Sequence, residues 1–255
     1  MGGNARVLAT GIHNIIDGQD WTLPPALLRL AQIKHFRLFI TTTFDPFMQQ
    51  ALNKVRFGGQ PYAQVYSLSS KGATVDVPMD QFNSGASIVY QIFGQANTMP
   101  SFVVTEEDLL QCVRRLQEED RRPQNLFDQI RSKQLLLLGC SFPDWLVRFF
   151  LYSARDEQLF DAQDQDYLAD ARSARDPEIV AFLERMNCAL YPDDACAFLE
   201  ELSRQCESYF GSDEQEEADV SPEVEVSPVA SQDMIFISYA DEDREAALRI
   251  KAALE

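Results

Sequence analysis

The chain has 255 residues, 45% of them hydrophobic, which is enough to bury one sizeable core and an appendage. Its formal net charge of −18 and pI near 4.4 oppose binding to nucleic-acid phosphates or to anionic lipid, so we expect neither nucleic acid nor membrane as a partner. The five cysteines form no C-x-x-C pair, and no stretch reaches the roughly 18 apolar residues of a membrane span or has the order of a signal peptide. These features predict a cytoplasmic protein without a metal site.

The first clear elements are a helix and a strand that lead up to residue 46. Apolar residues recur at helical spacing between residues 23 and 34, whereas residues 1–20 are compatible with helix or strand. The apolar run at residues 38–40 predicts a buried strand, and Pro46 suits the first turn of the next helix. Ligands of open α/β sheets gather at the carboxyl ends of strands. The polar residues expected in such a crevice are Thr41, Thr42, Thr43 and Asp45.

Strands and helices then alternate up to residue 210. Thr105 opens one of the helices as part of a capping box that extends to Asp108. The further β-type runs are residues 63–68, 86–93, 134–138, 166–169 and 188–191. The alternation predicts a Rossmann-like α/β fold, a doubly wound parallel sheet with residues 38–40, 89–92 and 135–138 as interior strands.

Four segments, in the same order along the chain, resemble parts of bacterial sirtuin-like NAD hydrolase domains. They are residues 39–45 (FITTTFD), 89–94 (VYQIFG), 101–108 (SFVVTEED) and 135–144 (LLLLGCSFPD). The resemblance implies that residues 1–210 form a sirtuin-like domain whose ligand is NAD or an ADP-ribose derivative. The cofactor-binding residues that it implies are Thr41, Thr42, Asp45, Gly139 and Ser141. In the family, the turn that corresponds to Gly139 and Ser141 holds the adenine-side ribose.

The chain departs from this family at its two catalytic positions. The family's catalytic Asn falls on Thr43, and its catalytic His falls on Phe93. Phenylalanine cannot take a proton, and a threonine hydroxyl cannot copy the paired donor and acceptor of an amide. The glycine-rich opening strand of the family is also not evident before Thr41, so we expect the sequence to be cut short at its N-terminus. The resemblance therefore implies a degenerate domain without catalytic residues.

Residues 211–232 have the composition of an acidic, disordered linker, because residues 211–233 hold eight acids and no base. After this linker, residues 234–243 (MIFISYADED) resemble the opening strand of a TIR domain, with its F-I-S-Y-x-x-x-D pattern. We expect residues 233–255 to be the first strand and helix of an incomplete flavodoxin-like TIR segment, cut short at its C-terminus.

A sirtuin-like domain joined to a TIR domain resembles bacterial antiphage defence proteins, in which depletion of NAD is the effector chemistry. The first hypothesis is a pseudoenzyme that scaffolds, oligomerises or regulates a TIR NAD-hydrolase effector through protein contacts or self-association. The second is an active NAD hydrolase of the sirtuin-like class. The third is a sensor that binds NAD or an ADP-ribose derivative without turnover. The sequence leaves open whether this chain is itself an enzyme.

Overall fold

The computed structural model describes residues 2–69, 74–99, 101–139, 145–155, 165–210 and 235–238. Helices and strands alternate through these ranges. The helices are α1 (Gly2–Asp17), α2 (Pro25–Gln32), α3 (Phe47–Arg56), α4 (Met79–Asn83), α5 (Glu106–Gln117), α6 (Gln124–Ser132), α7 (Trp145–Arg155), α8 (Pro177–Arg185) and α9 (Ala195–Phe210). The strands are β1 (Leu38–Thr41), β2 (Gln64–Ser67), β3 (Ile88–Gln91), β4 (Leu135–Leu138), β5 (Asp166–Ala169), β6 (Cys188–Tyr191) and β7 (Ile235–Ser238). In these ranges no helix has the length and apolar character to cross a membrane.

All seven strands join one parallel sheet in the order β2-β3-β1-β7-β4-β5-β6. The three strands predicted to be interior are β1, β3 and β4, and each has strand neighbours on both sides. Every residue of these three strands is buried, as expected for parallel strands that are covered by helices on both faces. The parallel, Rossmann-like sheet is therefore confirmed.

Strand β7 differs from its expected setting. The sequence predicts this strand in a separate domain that follows a linker, whereas it pairs with β1 on one side and β4 on the other, in the middle of the sheet. The physical reason is that β1 and β4 would otherwise each present an unpaired backbone edge inside the molecule, where unmade hydrogen bonds are costly. The run Ile235–Ser238 supplies four residues in register with both neighbours.

Two apolar layers cover the faces of the sheet. Alternate strand residues, such as Ile40 and Tyr90, point to a layer that includes buried residues of α5, α6, α7 and α8. The intervening residues, such as Phe39 and Val89, point to a layer formed with α2, α3 and α9. Helices therefore lie on both faces, and the carboxyl edge of the sheet is left to the loops that follow the strands.

The capping box predicted at Thr105 is confirmed. Thr105 and Asp108 form the capping box at the start of α5, with the Asp108 N–H donating to Thr105 Oγ1 at 3.2 Å. Helix α3 ends where Gly58 and Gly59 take positive φ angles, and the Gly59 N–H donates to the carbonyl oxygen of Asn53 at 2.8 Å.

Three helices were not foreseen, among them the short α4. Residues 2–17 had been compatible with helix or strand, and they form α1. Helix α6 was not predicted at all, and its amino end is capped by a distant carboxylate. Asp76 accepts hydrogen bonds from the N–H groups of Asn125 at 2.7 Å and Leu126 at 3.2 Å. A cap that lies about 50 residues earlier in the chain is invisible to a local reading of the sequence.

Candidate functional site at the carboxyl edge of the sheet

The carboxyl ends of four neighbouring strands meet at one edge. Gln91, Thr41, Ser238 and Leu138 are in register there as the last residues of β3, β1, β7 and β4. The chain builds β1, β2 and β3 on one side before it crosses to β4, β5 and β6 on the other. The centre of this edge is thus a topological switch point, the place where open α/β sheets bind their ligands.

The loop between β1 and α3 is held in place by hydrogen bonds at successive residues. Thr41 donates its hydroxyl to the carbonyl oxygen of Thr43 at 3.3 Å. The carbonyl oxygen of Phe44 accepts from the Ala96 N–H at 2.9 Å, and Asp45 Oδ1 accepts from the Phe47 N–H at 2.9 Å. The predicted crevice residues Thr41, Thr42, Thr43 and Asp45 therefore lie together in one ordered loop at the switch point.

Asp45 is the titratable group of this loop with an altered proton affinity. Burial raises the pKa of its carboxyl above the ordinary value of 3.8, although hydrogen bonds from the Phe47 N–H and the Thr43 side chain act in the opposite direction. A desolvated carboxyl group at the carboxyl edge of a parallel sheet is a candidate functional group, because active sites commonly perturb pKa values in this way.

The two positions that correspond to the family's catalytic residues have structural contacts instead. The Thr43 side chain is hydrogen-bonded to the carboxyl group of Asp45. Phe93 is partly buried and packs against the apolar layer that includes Tyr90 and Ile92. Its carbonyl oxygen accepts from the Val103 N–H at 2.8 Å. Neither side chain has a group that titrates near neutral pH.

The glycine after Phe93 is fixed by close packing. Gly94 has a φ of +84°, and a Cβ atom placed on it would lie 2.8 Å from the Cα and Cβ atoms of Phe102. Any other residue would be strained at this φ and would collide with backbone. The turn at the end of β3 therefore requires glycine and brings Phe102 against the crevice loops.

Helix α1 closes over these loops through a small third apolar cluster. Its buried residues Ala9 and Ile12 pack with Phe102, and Phe44 joins the same cluster. The rings of Phe44 and Phe102 have centroids 5.2 Å apart. The loops that follow β1 and β3 are thus packed against each other under α1, which shields this part of the edge from water.

Gln91 is a site residue that was not predicted from the sequence. It is the last residue of β3, it is only 2% exposed, and its Nε2 donates to the carbonyl oxygen of Asp45 at 2.6 Å. Its Oε1 is buried and has no hydrogen-bond partner among the residues that the structure describes. The available signal was a polar residue at the end of a buried apolar strand.

The remaining predicted residues lie on the other side of β7. Gly139 follows β4 directly and has a φ of +61°, in the left-handed region that favours glycine. Ser141, which was predicted to bind the cofactor together with Gly139, lies outside the described residues. Thr41 and Leu138 are separated by one intervening strand, so Gly139 is about 10 Å from the β1–α3 loop at the usual strand spacing.

Metal-ligand geometry is not found in the part of the chain that the structure describes. No group of three or more His, Cys, Asp or Glu side chains is placed there to hold an ion. The arrangement at the carboxyl edge is instead suited to an organic ligand, because it combines hydroxyls, one carboxyl group, one amide and apolar rings.

Comparison with known families matches residues 37–191 to the SIR2-like domain, a range that covers more than half of the chain. The match spans β1 to β6 and includes the loop from Thr41 to Asp45, Gln91, Phe93 and Gly139. No curated protein and no solved structure matches the chain significantly. The chain therefore belongs to the SIR2-like domain family.

Proposed function

We propose that this chain is a nucleotide-binding module that holds NAD or an ADP-ribose derivative at the carboxyl edge of its sheet and does not hydrolyse it. SIR2-like domains typically bind NAD, and the family match covers the strands that form this edge. The residues that would hold the ligand are Thr41, Thr42, Asp45 and Gly139, together with Ser141, which is two residues after Gly139 in the sequence.

The proposed lack of hydrolysis is supported mainly by the side chains of Thr43 and Phe93, which occupy the family's catalytic positions. The Thr43 side chain is engaged with Asp45, and Phe93 packs against the apolar layer. Loss of a general base costs about 10²–10⁴-fold in rate. Loss of the group that orients the nucleophile adds a separate positional penalty, so hydrolysis should approach the uncatalysed background.

The ligand-binding half of the proposal is supported by the polar groups of the edge. Gln91 Oε1 is a buried acceptor without a donor among the described residues, and Asp45 has a desolvated carboxyl group. Both groups would gain from a ligand that brings hydrogen-bond donors into the crevice.

An active NAD hydrolase is the second candidate, and one observation favours it. Burial raises the pKa of Asp45 towards the range in which a carboxyl group serves as a general acid or base. In this candidate Asp45 would replace the proton-transfer group that Phe93 lacks. Substitution of Asp45 separates the two candidates, because only the hydrolase depends on it for turnover.

We also propose a regulatory link to a TIR effector in an antiphage system. The segment that resembles the opening strand of a TIR domain includes β7, and β7 is hydrogen-bonded to β1 and β4 beside the nucleotide site. A strand in this position could transmit a change at the nucleotide site to the TIR-like sequence that follows residue 238. The scaffolding role, with protein partners or self-association, rests on the same link.

The test compares binding and cleavage in one preparation of the chain. Isothermal titration calorimetry with NAD and with ADP-ribose measures binding, and chromatography of the same samples measures nicotinamide release. We expect saturable binding without release above a protein-free control. Release that is lost in Asp45→Ala would replace this proposal with the hydrolase, and absence of binding would overturn both.

A further inference from the structure

The amide of Gln91 has a fixed orientation at the end of β3. Its Nε2 lies 2.6 Å from the carbonyl oxygen of Asp45. The opposite assignment of the amide would place two acceptor oxygens at this distance, which is repulsive. The N–H therefore points to the β1–α3 loop, and Oε1 is the atom left over.

The Oε1 atom of Gln91 is a buried hydrogen-bond acceptor. Gln91 is 2% exposed, and its Oε1 has no hydrogen-bond partner in the described part of the chain. The two residues beside it in the sheet are Thr41 on β1 and Ser67 on β2. The Thr41 hydroxyl is directed to the carbonyl oxygen of Thr43. A buried acceptor without a donor destabilises the protein and is rare in native structures. A partner that is not among the described residues is therefore expected, and a bound ligand can supply it.

The place of Gln91 along the edge indicates which part of a nucleotide would meet it. The family resemblance assigns the adenine-side ribose to Gly139, which follows β4. Strand β3 is three places away from β4 in the sheet, a distance of about 14 Å at the usual strand spacing. A dinucleotide that extends from Gly139 across β7 and β1 therefore brings its second ribosyl half to Gln91.

We propose that Gln91 is a specificity-determining residue of the nucleotide site, whose Oε1 accepts a hydrogen bond from an N–H or O–H group on the second ribosyl half of the ligand. This inference rests on the nucleotide-binding function proposed above. The donor is a ribose hydroxyl or, in NAD, the carboxamide. Nε2 meanwhile keeps the β1–α3 loop and Asp45 in place, so one side chain both anchors the loop and contacts the ligand.

The experiment measures the affinity of three ligands for the full chain and for Gln91→Met. The ligands are NAD, ADP-ribose and AMP, of which AMP lacks the second ribosyl half. Methionine has nearly the same length as glutamine but offers neither the donor nor the acceptor. AMP affinity is measured directly and by competition with ADP-ribose.

Tyr90→Phe is the matched control. Tyr90 is the neighbouring residue on β3, it is also fully buried, and its hydroxyl donates to the carbonyl oxygen of Val75 at 2.9 Å on the opposite face of the sheet. The control loses a buried hydrogen bond of the same strand without touching the crevice. Its thermal stability should fall, and its ligand affinities should equal those of the unmodified chain.

We expect Gln91→Met to weaken binding of the ligands that carry the donor by about tenfold and to leave AMP unchanged. A loss with both NAD and ADP-ribose assigns the donor to the ribose, and a loss with NAD alone assigns it to the carboxamide. Equal losses with all three ligands would show a purely structural role, and three unchanged affinities would show that no ligand contacts Oε1; either result overturns the inference. If the unmodified chain binds none of the three, the proposed function itself fails.

Discussion

The side-chain amide of Gln91 donates to the carbonyl oxygen of Asp45 at 2.6 Å and so joins the end of β3 to the loop that follows β1. The same loop is held to the segment after β3 by the bond from the Ala96 N–H to the carbonyl oxygen of Phe44, at 2.9 Å. Two neighbouring strand ends thus act as one unit. Gln91 thus fixes the backbone of Asp45 from 46 residues away, while the carboxyl group of Asp45 accepts from the neighbouring Phe47 N–H.

The first prediction concerns the pH dependence of stability in Asp45→Asn. Burial raises the pKa of Asp45 above its ordinary value of 3.8. In the pH range just above this value the folded protein therefore binds more protons than the unfolded chain, and the Asp45 contribution to the free energy of unfolding falls as the pH rises. Asparagine keeps an oxygen that can accept from the Phe47 N–H but has no charge to desolvate.

We therefore expect Asp45→Asn to gain stability relative to the unmodified chain as the pH rises from about 4 towards neutrality. Urea unfolding at a series of pH values measures this difference. A difference that shrinks with rising pH would show that the charged form of Asp45 is stabilised in the folded protein.

The second prediction concerns Arg56, the last residue of α3. Its guanidinium donates to the carbonyl oxygens of Ala31 at 2.7 Å, Ile33 at 2.7 Å and Phe36 at 2.8 Å, and also to the Ser87 hydroxyl at 2.8 Å. Burial lowers its pKa to about 10, so it remains charged at neutral pH. It joins the end of α2 to the beginnings of β1 and β3.

Arg56→Met should lower the free energy of unfolding by about 3 kcal/mol, because several buried carbonyl oxygens lose a charged donor at once. Arg56→Lys should recover only part of this loss, since an ammonium cannot reproduce the planar fork. The control is Arg114→Met, which removes an exposed ion pair with Glu118 and should cost less than about 1 kcal/mol. Chemical unfolding measures all three variants, and equal losses for Arg56→Met and Arg114→Met would contradict the assignment.

The third prediction concerns the central strand β7. Ile237 is paired in register with Ile40 on β1 and Leu137 on β4. Proline at this position would remove a backbone donor and does not fit a central strand, so Ile237→Pro should cost about 3 kcal/mol or more. Val226→Pro, in the acidic segment, should have little effect. If both variants unfold at the same urea concentration as the unmodified chain, β7 does not stabilise the sheet in solution.

The fourth prediction concerns the reactivity of the cysteines. Cys112 and Cys188 are buried, whereas Cys196 and Cys206 are partly exposed. Burial raises the pKa of the Cys112 thiol to about 12, so almost no thiolate is present at neutral pH. In a Cys140→Ala background, a maleimide reagent should label Cys196 and Cys206 in the folded protein and Cys112 only after unfolding. Mass spectrometry of peptides shows the order in which the cysteines are labelled, and early labelling of Cys112 would contradict this packing.

Much of the sheet could be predicted because its strands have a local signal. The runs at β1, β3 and β4 are short and continuously apolar, as strands buried on both faces must be. Helix N-termini that have a local cap, such as Thr105 at the start of α5, could also be predicted. The position of β7 in the sheet could not be predicted, because its pairing depends on the gap between β1 and β4 and not on its own residues.

The candidate site was predictable to a similar extent. Thr41 and Asp45 could be placed at a strand end from the pattern around them, and the structure brings them into one loop. Gln91 could not be singled out, since its role comes from a contact with a residue 46 positions away. The altered pKa of Asp45 has the same origin, because burial by tertiary packing is not written in the local sequence.

The most direct test of the account is a single-turnover experiment with NAD. The full chain, in excess over NAD labelled in the nicotinamide ring, is incubated and then separated by rapid filtration into bound and free fractions, and each fraction is analysed for intact NAD and free nicotinamide. We expect NAD to be retained with the protein and recovered intact. Release of nicotinamide at a rate above the protein-free control, abolished by Asp45→Ala, would contradict it.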